Sequence, residues 1–342
     1  MTTRKAQANA NFHSVTGQSV FDAKQADARF REYRRRWVEE PGTFTVGAFP
    51  IHLDIESTGV CNLRCPFCAT TTKTWGPDEP GYMKLDLFRR IIDEGAAEGL
   101  CSIKLSFRGE PTLHQRLSEM VAYAKQKGIL DVYFNTNATL LTEALIQRLI
   151  DAGLDRISIS VEGITKDAYE KYRPGAKYEE VIENVKRLRS IRDARGLGYP
   201  QIRMQTVMLP ELRQVFGQYT EFWQPWVDEV AYLDARREGP QDDHRGLQAE
   251  WPCPFLWQRM TILWDGTLLP CLMHGVTDFS LLALGNVQQA SIKSLWQGEQ
   301  AARYRALHRA GRAHELEACD RCSFRAMELE KLAIINPGRP AR

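Results

Sequence analysis

Six apolar strand patterns between residues 51 and 234 alternate with amphipathic helical patterns, and this alternation constrains the fold more than any other feature of the chain. The strand patterns fall at 51–57, 102–107, 131–135, 156–161, 201–208 and 228–234. The helical patterns lie near 84–97, 115–127, 142–151, 166–193 in two pieces, and 211–224. Strands joined by helical crossovers cannot pair as hairpins and must lie parallel, so the chain is read as an α/β protein built on a parallel sheet.

Directly after the first strand pattern comes Cys61-Asn62-Leu63-Arg64-Cys65-Pro66-Phe67-Cys68. Three soft thiolates on a tight loop suit iron-sulfur or zinc, and no nearby fourth Cys or His closes the set as a structural zinc knuckle requires. Buried, unligated thiols are the bland alternative. A second set, Cys253, Cys271, Cys319 and Cys322, supplies four thiolates and closes a site, for which an iron-sulfur cluster and a zinc ribbon are equally suited by spacing. Cys253 precedes and Cys271 ends two apolar runs around Asp265-Gly266, expected to form a hairpin with a type I′ turn. Helical segments are expected near 291–309 and 323–334. Of the eight cysteines this leaves Cys101, at the opposite end of its strand from Arg108, which reads as a core thiol.

In this order the motifs resemble the radical SAM superfamily, whose CxxxCxxC loop holds a [4Fe-4S] cluster with one iron open to S-adenosylmethionine. The resemblance implies a partial (β/α)6 barrel of TIM type, with function at the carboxyl ends of the strands by analogy with the full barrel. Cys61, Cys65 and Cys68 would hold the first cluster, and Phe67 matches the position that meets the adenine. Arg108-Gly109-Glu110-Pro111 is similar to the family's GGEP motif, placing Gly109, Glu110 and Pro111 at the methionine amino group, with Arg108 where the motif has its first glycine. Ile157 to Gly163 is similar to the SxDG strand, with Glu162 for the commoner aspartate. By that resemblance Ser160 and Glu162 meet the ribose or carboxylate of S-adenosylmethionine, and Arg173 faces the carboxylate. Cys253 through Gly266 to Cys271 resembles the opening of the SPASM/twitch extensions. No cysteine follows Cys322, so the chain looks like the shortened form with one fully ligated auxiliary [4Fe-4S] cluster, as in the aminocyclitol (2-deoxy-scyllo-inosamine) dehydrogenases.

The domain reading follows. Residues 1–48 are an N-terminal extension with a flexible lead-in, little strand signal and one helix from Val20 to Val38 stopped by Pro41-Gly42; 49–238 are the barrel, 239–335 the SPASM/twitch domain, and 336–342 a tail. A formal net charge of +2 offers no field for nucleic acid. No apolar stretch reaches the length of a membrane span and Met1 to Val20 lack a signal-peptide core, so a cytoplasmic protein is expected.

The expected reaction is abstraction of a hydrogen atom and oxidation of a secondary alcohol on a small aminocyclitol or amino sugar, the auxiliary cluster taking the second electron and a flavodoxin or ferredoxin-type donor supplying the first. Arg108, His114, Arg203, Gln205, Asp234 and Arg236 are nominated to face the lumen near the strand ends. Among these, His114 and Arg203 are the catalytic candidates, Gln205 is shared with S-adenosylmethionine, and Arg108, Asp234 and Arg236, with Tyr232, fall to the substrate. Two alternatives stand beside this. An epimerase needs a hydrogen donor, for which Tyr232 is available in place of a thiol. A ribosomal-peptide modifier commonly carries an N-terminal recognition domain with strands.

Overall fold

The computed structural model describes residues 12–17, 24–72, 80–235, 251–272 and 278–331. Its strands are β1 (Phe12–Gly17), β2 (His52–Ile55), β3 (Ser102–Lys104), β4 (Asp131–Thr136), β5 (Arg156–Ser160), β6 (Gln201–Met208), β7 (Glu229–Asp234), β8 (Arg259–Ile262), β9 (Thr267–Leu269) and β10 (Gly285–Asn286). Its helices are α1 (Ala28–Thr43), α2 (Ala69–Thr72), α3 (Leu85–Ala97), α4 (Leu117–Gln126), α5 (Glu143–Asp151), α6 (Lys166–Tyr172), α7 (Tyr178–Ala194), α8 (Pro210–Gln214), α9 (Phe216–Trp223), α10 (Phe255–Gln258), α11 (Ile292–Gln297), α12 (Glu299–Arg309), α13 (Glu317–Asp320) and α14 (Ser323–Lys331).

The strands form one sheet in the order β1-β7-β6-β5-β4-β3-β2-β8-β9-β10. Every pairing from β7 to β8 is parallel. The sheet stays open between β1 and β10, as a partial barrel does. Side-chain alternation along each strand explains the layering. Leu53, Ile55, Ile103, Val132, Phe134, Ile157, Ile159, Ile202 and Met204 join one core with Phe88, Ile91 and Ile92 of α3, Met120 and Val121 of α4, and Val181, Val185 and Leu188 of α7. With Leu117 and Ala124 of α4, these helical residues fall one, three or four apart, so each helix lays one apolar stripe on the sheet.

The opposite face of the strands carries polar residues into the lumen, and toward the amino ends they pair with one another. His52 Nδ1 lies 3.0 Å from Ser102 Oγ, Ser102 donates to Asp131 at 3.0 Å, and Arg156 clasps Asp131 at 2.7 and 2.6 Å. Asp54 is held by Lys104 at 2.6 Å and Arg259 at 3.2 Å, and Arg203 by Glu229 at 2.7 Å. Burial alone would raise the Asp131 carboxyl; the Arg156 guanidinium, Lys24 and the Ser102 hydroxyl together outweigh it and hold the group below the usual carboxylate range. Phe30, Tyr33 and Trp37 of α1 pack with Ile51 beneath this charged floor.

Three local expectations change. The N-terminal helix starts at Ala28, after the Asp27 cap, and runs through Pro41 to Thr43 instead of stopping at Pro41-Gly42; residues 18–23 lie outside the described residues. Proline removes the N–H that would reach Trp37 O, and Gln258 Nε2 supplies a donor to that carbonyl at 2.6 Å. Part of the lead-in is a strand: β1 pairs antiparallel with β7, Phe12 opposite Leu233. The hairpin of β8 and β9 turns through Leu263 to Gly266, closed by the Gly266 N–H on Leu263 O at 2.9 Å. Its central residues are then Trp264 and Asp265, and neither enters the left-handed region that a type I′ turn demands of both; only Gly266, which follows them, does so, at φ +89°. Finally, β8 pairs parallel with β2, so the second cysteine domain grows out of the barrel sheet.

Candidate functional site

The chain leaves β2 as Glu56-Ser57-Thr58-Gly59-Val60 and enters the cysteine loop. Gly81-Tyr82-Met83 straps this exit. Thr58 Oγ1 and the Gly59 N–H both donate to Gly81 O, at 2.9 and 3.0 Å, and the Met83 N–H donates to Ser57 O at 2.9 Å. A second turn locks onto the same segment: the Glu110 N–H donates to Val60 O at 2.8 Å. Gly109 is there because a Cβ would stand 2.3 Å from Thr58 O and 2.5 Å from Val60 O.

Glu110 is buried, and its carboxylate accepts from the Thr112 N–H and hydroxyl at 3.1 and 2.6 Å, the Thr136 hydroxyl at 2.7 Å and the Asn137 N–H at 2.7 Å. Asn137 Nδ2 in turn donates to Asn62 Oδ1 at 2.9 Å. The loop after β4 thus ties the Gly-Glu-Pro turn to the cysteine loop. Sequence reasoning missed this link; its signal is the polar run Asn135-Thr136-Asn137 at a strand's carboxyl end.

Within the loop the Cys68 N–H donates to Cys65 O at 3.0 Å and Arg64 Nη1 to Cys61 O at 2.7 Å. Burial pushes the Cys65 thiol up to about 11, against the pull of Arg173. Cys61 shifts the same way for the same first reason, and Cys68 and Cys61 each raise it further at Cys65. Three thiols near enough to disfavour one another's ionisation, held on one loop, fit a cluster whose positive irons would bind them as thiolates. Beside them Arg173 clasps Glu162 at 2.5 and 3.0 Å, both groups buried, with the guanidinium 5.8 Å from the Phe67 ring centroid. Phe67, Glu162 and Arg173 therefore gather at the cysteine loop, while Ser160 ends β5 on the Glu162 face and Gln205 accepts from Ser158 at 3.5 Å.

Other nominated residues stand elsewhere. Arg108 reaches the strand ends but is clasped by Glu56 at 2.6 and 2.7 Å and lies over the Phe279 ring. Both His114 nitrogens are committed to backbone, Nε2 to Met83 O at 3.0 Å and Nδ1 to the Arg116 N–H at 3.1 Å, so the ring holds the Gly81-Tyr82-Met83 strap and has no nitrogen for a substrate proton. Arg203 belongs to the charged floor at the amino end of β6, with Glu229 and the Phe12 ring, and is not placed for catalysis at the cysteine loop. Tyr232 and Asp234 share the outward face of β7 with core residue Val230; His13 of β1 stacks on Tyr232 at 4.4 Å and bonds Asp234 at 3.0 Å, so neither faces the lumen as a substrate contact. Arg236 lies outside the described residues.

Cys253, Cys271, Cys319 and Cys322 line one apolar cavity with Phe255, Leu256, Leu282, Leu316 and Phe324. His308 and Arg325 also line it. The four thiols fit a fully ligated cluster shielded from water. Cys101 is remote from both sets, packed against the Phe30, Tyr33 and Trp37 cluster under the floor.

Two thiol sets, one at the carboxyl ends of a parallel sheet and one lining a cavity beside it, suit an iron-sulfur protein. Residues 55–207 match the Radical SAM superfamily and residues 253–323 the SPASM iron-sulfur cluster-binding domain. The chain carries a radical SAM domain followed by a SPASM domain, and with them two cluster sites and a site for S-adenosylmethionine. Over 321 residues, 80% of this chain and 87% of the relative, it is 26% identical to the tungsten-containing aldehyde ferredoxin oxidoreductase cofactor-modifying protein of Pyrococcus furiosus. Over 137 residues it is 36% identical to a probable GTP 3′,8-cyclase of Saccharolobus solfataricus, a match that takes in 39% of this chain and 42% of the cyclase. Among solved structures, BtrN in complex with AdoMet and 2-DOIA superposes with TM-score 0.53 at 18% identity, covering 81% of this chain and 94% of that one. SuiB of Streptococcus suis bound to S-adenosylmethionine superposes with TM-score 0.56 at 14% identity, covering 81% and 73%. These structural likenesses are of fold. Among the described residues no helix is long and apolar enough to cross a membrane.

Proposed function

We propose that this chain is a radical SAM oxidoreductase that oxidises a secondary alcohol on a small aminocyclitol or amino sugar. When bound, the first cluster and S-adenosylmethionine supply a hydrogen-abstracting 5′-deoxyadenosyl radical, and the auxiliary cluster a sink for the second electron. The placement of the thiols carries the reading. Three lie together on the loop after β2, four line the second cavity, and Cys101 packs with the α1 cluster beneath the floor, which argues against it as a hydrogen donor. Tyr232, the other donor an inverting enzyme would need, is turned outward against His13.

The chain's own residues then have distinct tasks. Gly109 and Glu110 fix the turn against the cysteine loop, Glu162 and Arg173 present a carboxylate and a guanidinium beside Phe67, and the Arg108–Glu56 pair frames the mouth of the lumen with little net charge. A neutral rim over a polar lumen suits a polyhydroxylated substrate. A flavodoxin or ferredoxin-type protein is the proposed electron donor.

A second reading, modification of a peptide, is supported by β1, an edge strand to which an extended peptide can add. Anaerobic turnover on a panel of aminocyclitols and amino sugars tests both. The expected product is lighter by two hydrogens, with one 5′-deoxyadenosine per turnover. An unchanged mass with solvent deuterium at one carbon refutes oxidation in favour of epimerisation, and turnover on peptides with none on polyols refutes the substrate class.

A further inference from the structure

His308, on α12, is 2% exposed and sits against the second cysteine set. Its Nδ1 lies 3.1 Å from the Cys253 amide nitrogen and accepts that N–H. An accepting Nδ1 carries no proton, so the proton of the neutral ring is on Nε2. Nε2 lies 3.3 Å from Cys319 Sγ and points its N–H at the sulfur. The neighbouring ligand sulfur, Cys322 Sγ, receives the Arg325 backbone N–H at 3.4 Å. Much of the cavity wall is apolar, Phe255, Leu256 and Leu316 among it, with Tyr304 and Arg325 as further polar side chains beside the thiols, and an apolar side chain at this position would avoid the cost of desolvating an imidazole.

Resting on the reading of Cys253, Cys271, Cys319 and Cys322 as a [4Fe-4S] site that accepts an electron, we propose that His308 is a positioning residue that sets the reduction potential of that cluster through Cys319. Reduction adds one electron and no proton, and the added negative charge spreads onto the ligand sulfurs. An N–H dipole already aimed at Cys319 favours the more negative state and makes the cluster a better acceptor for the electron left by substrate oxidation. The Nδ1 contact to Cys253 fixes the ring so that this dipole needs no reorientation when the electron arrives.

The test uses the full chain with Cys61, Cys65 and Cys68 all replaced by alanine, so that only the auxiliary cluster contributes an EPR signal during a redox titration. His308→Leu is expected to make the cluster about tenfold harder to reduce, ~59 mV more negative for a one-electron couple. His308→Gln, which keeps an N–H donor, is expected to recover most of the shift. A packing role would lower iron retention and leave the potential of the retained cluster where it was. With 15N-labelled histidine, the reduced cluster in the His308 protein is expected to show hyperfine coupling to imidazole nitrogen; this measurement needs no His308 substitution, and absence of the coupling overturns the inference even if His308→Leu fails to hold iron. An unshifted potential in iron-loaded His308→Leu overturns it as well. Zinc, or no metal, at the second set sinks the acceptor reading and the inference together, whereas an unmoved potential on a loaded cluster sinks the inference alone.

Discussion

Replacing Gly109 with alanine strikes the contact between the Gly-Glu-Pro turn and the cysteine loop. The new Cβ would stand 2.3 Å from Thr58 O, 2.5 Å from Val60 O and 2.8 Å from Gly59 C. All three are backbone atoms, so no side chain can rotate aside, and reaching ordinary contact moves the segment by about 1 Å. That motion breaks the 2.8 Å hydrogen bond from the Glu110 N–H to Val60 O, a loss of about 1 kcal/mol. Overpacking adds roughly 1–3 kcal/mol, for a total near ~2–4 kcal/mol. Because Val60 precedes Cys61, the displacement reaches the first thiol directly. Denaturant unfolding, iron counting and equilibrium dialysis with S-adenosylmethionine on anaerobically reconstituted protein read the three consequences. Gly109→Ala is expected to lose stability by that amount, to weaken S-adenosylmethionine binding, and to shed iron from the first set while the second keeps its own. Full iron with unchanged S-adenosylmethionine affinity would show that the two loops are not locked in this way.

Two further substitutions probe the site. Arg108→Ala leaves Glu56, fully buried, with the Trp264 N–H at 3.3 Å as its one remaining hydrogen-bond donor among the described residues, and is expected to cost about 3–5 kcal/mol; Glu56→Gln in the same chain should restore much of that, and a near-silent single variant in thermal or denaturant unfolding would disprove the pairing. Cys101→Ala is expected to leave turnover and both clusters intact, and loss of turnover with full iron and solvent deuterium in the product would make this thiol a hydrogen donor after all.

The barrel was legible in the chain because its strands and helices carry opposite periods: 201–208 and 228–234 are found almost to the residue as β6 and β7. The cysteine sets were legible because their spacing is chemical. What escaped was decided by residues far away. Phe12–Gly17 becomes a strand because β7 offers a free edge more than two hundred residues later, and the helix passes Pro41 because Gln258 lends a donor to Trp37 O. Alternation assigned Arg203 to the lumen but says nothing of height along the strand, and the height puts it on the floor with Glu229. Tyr232 and Asp234 were misplaced for a related reason: both faces of β7 are covered, so polarity does not mark which one looks inward. His308 gave no signal because an isolated histidine in a helix looks like any other until Cys319 comes within reach.

The ladder between β2 and β8, from His52 opposite Arg259 to Ile55 opposite Ile262, makes the two halves of the chain inseparable as material. A fragment ending before β8 would bare the long edge of a central parallel strand and strip Asp54 of Arg259, an invitation to intermolecular strand pairing and insolubility. The same rungs hold both thiol sets to one framework, so their spacing is set by covalent and hydrogen-bonded geometry and not by the opening of a hinge.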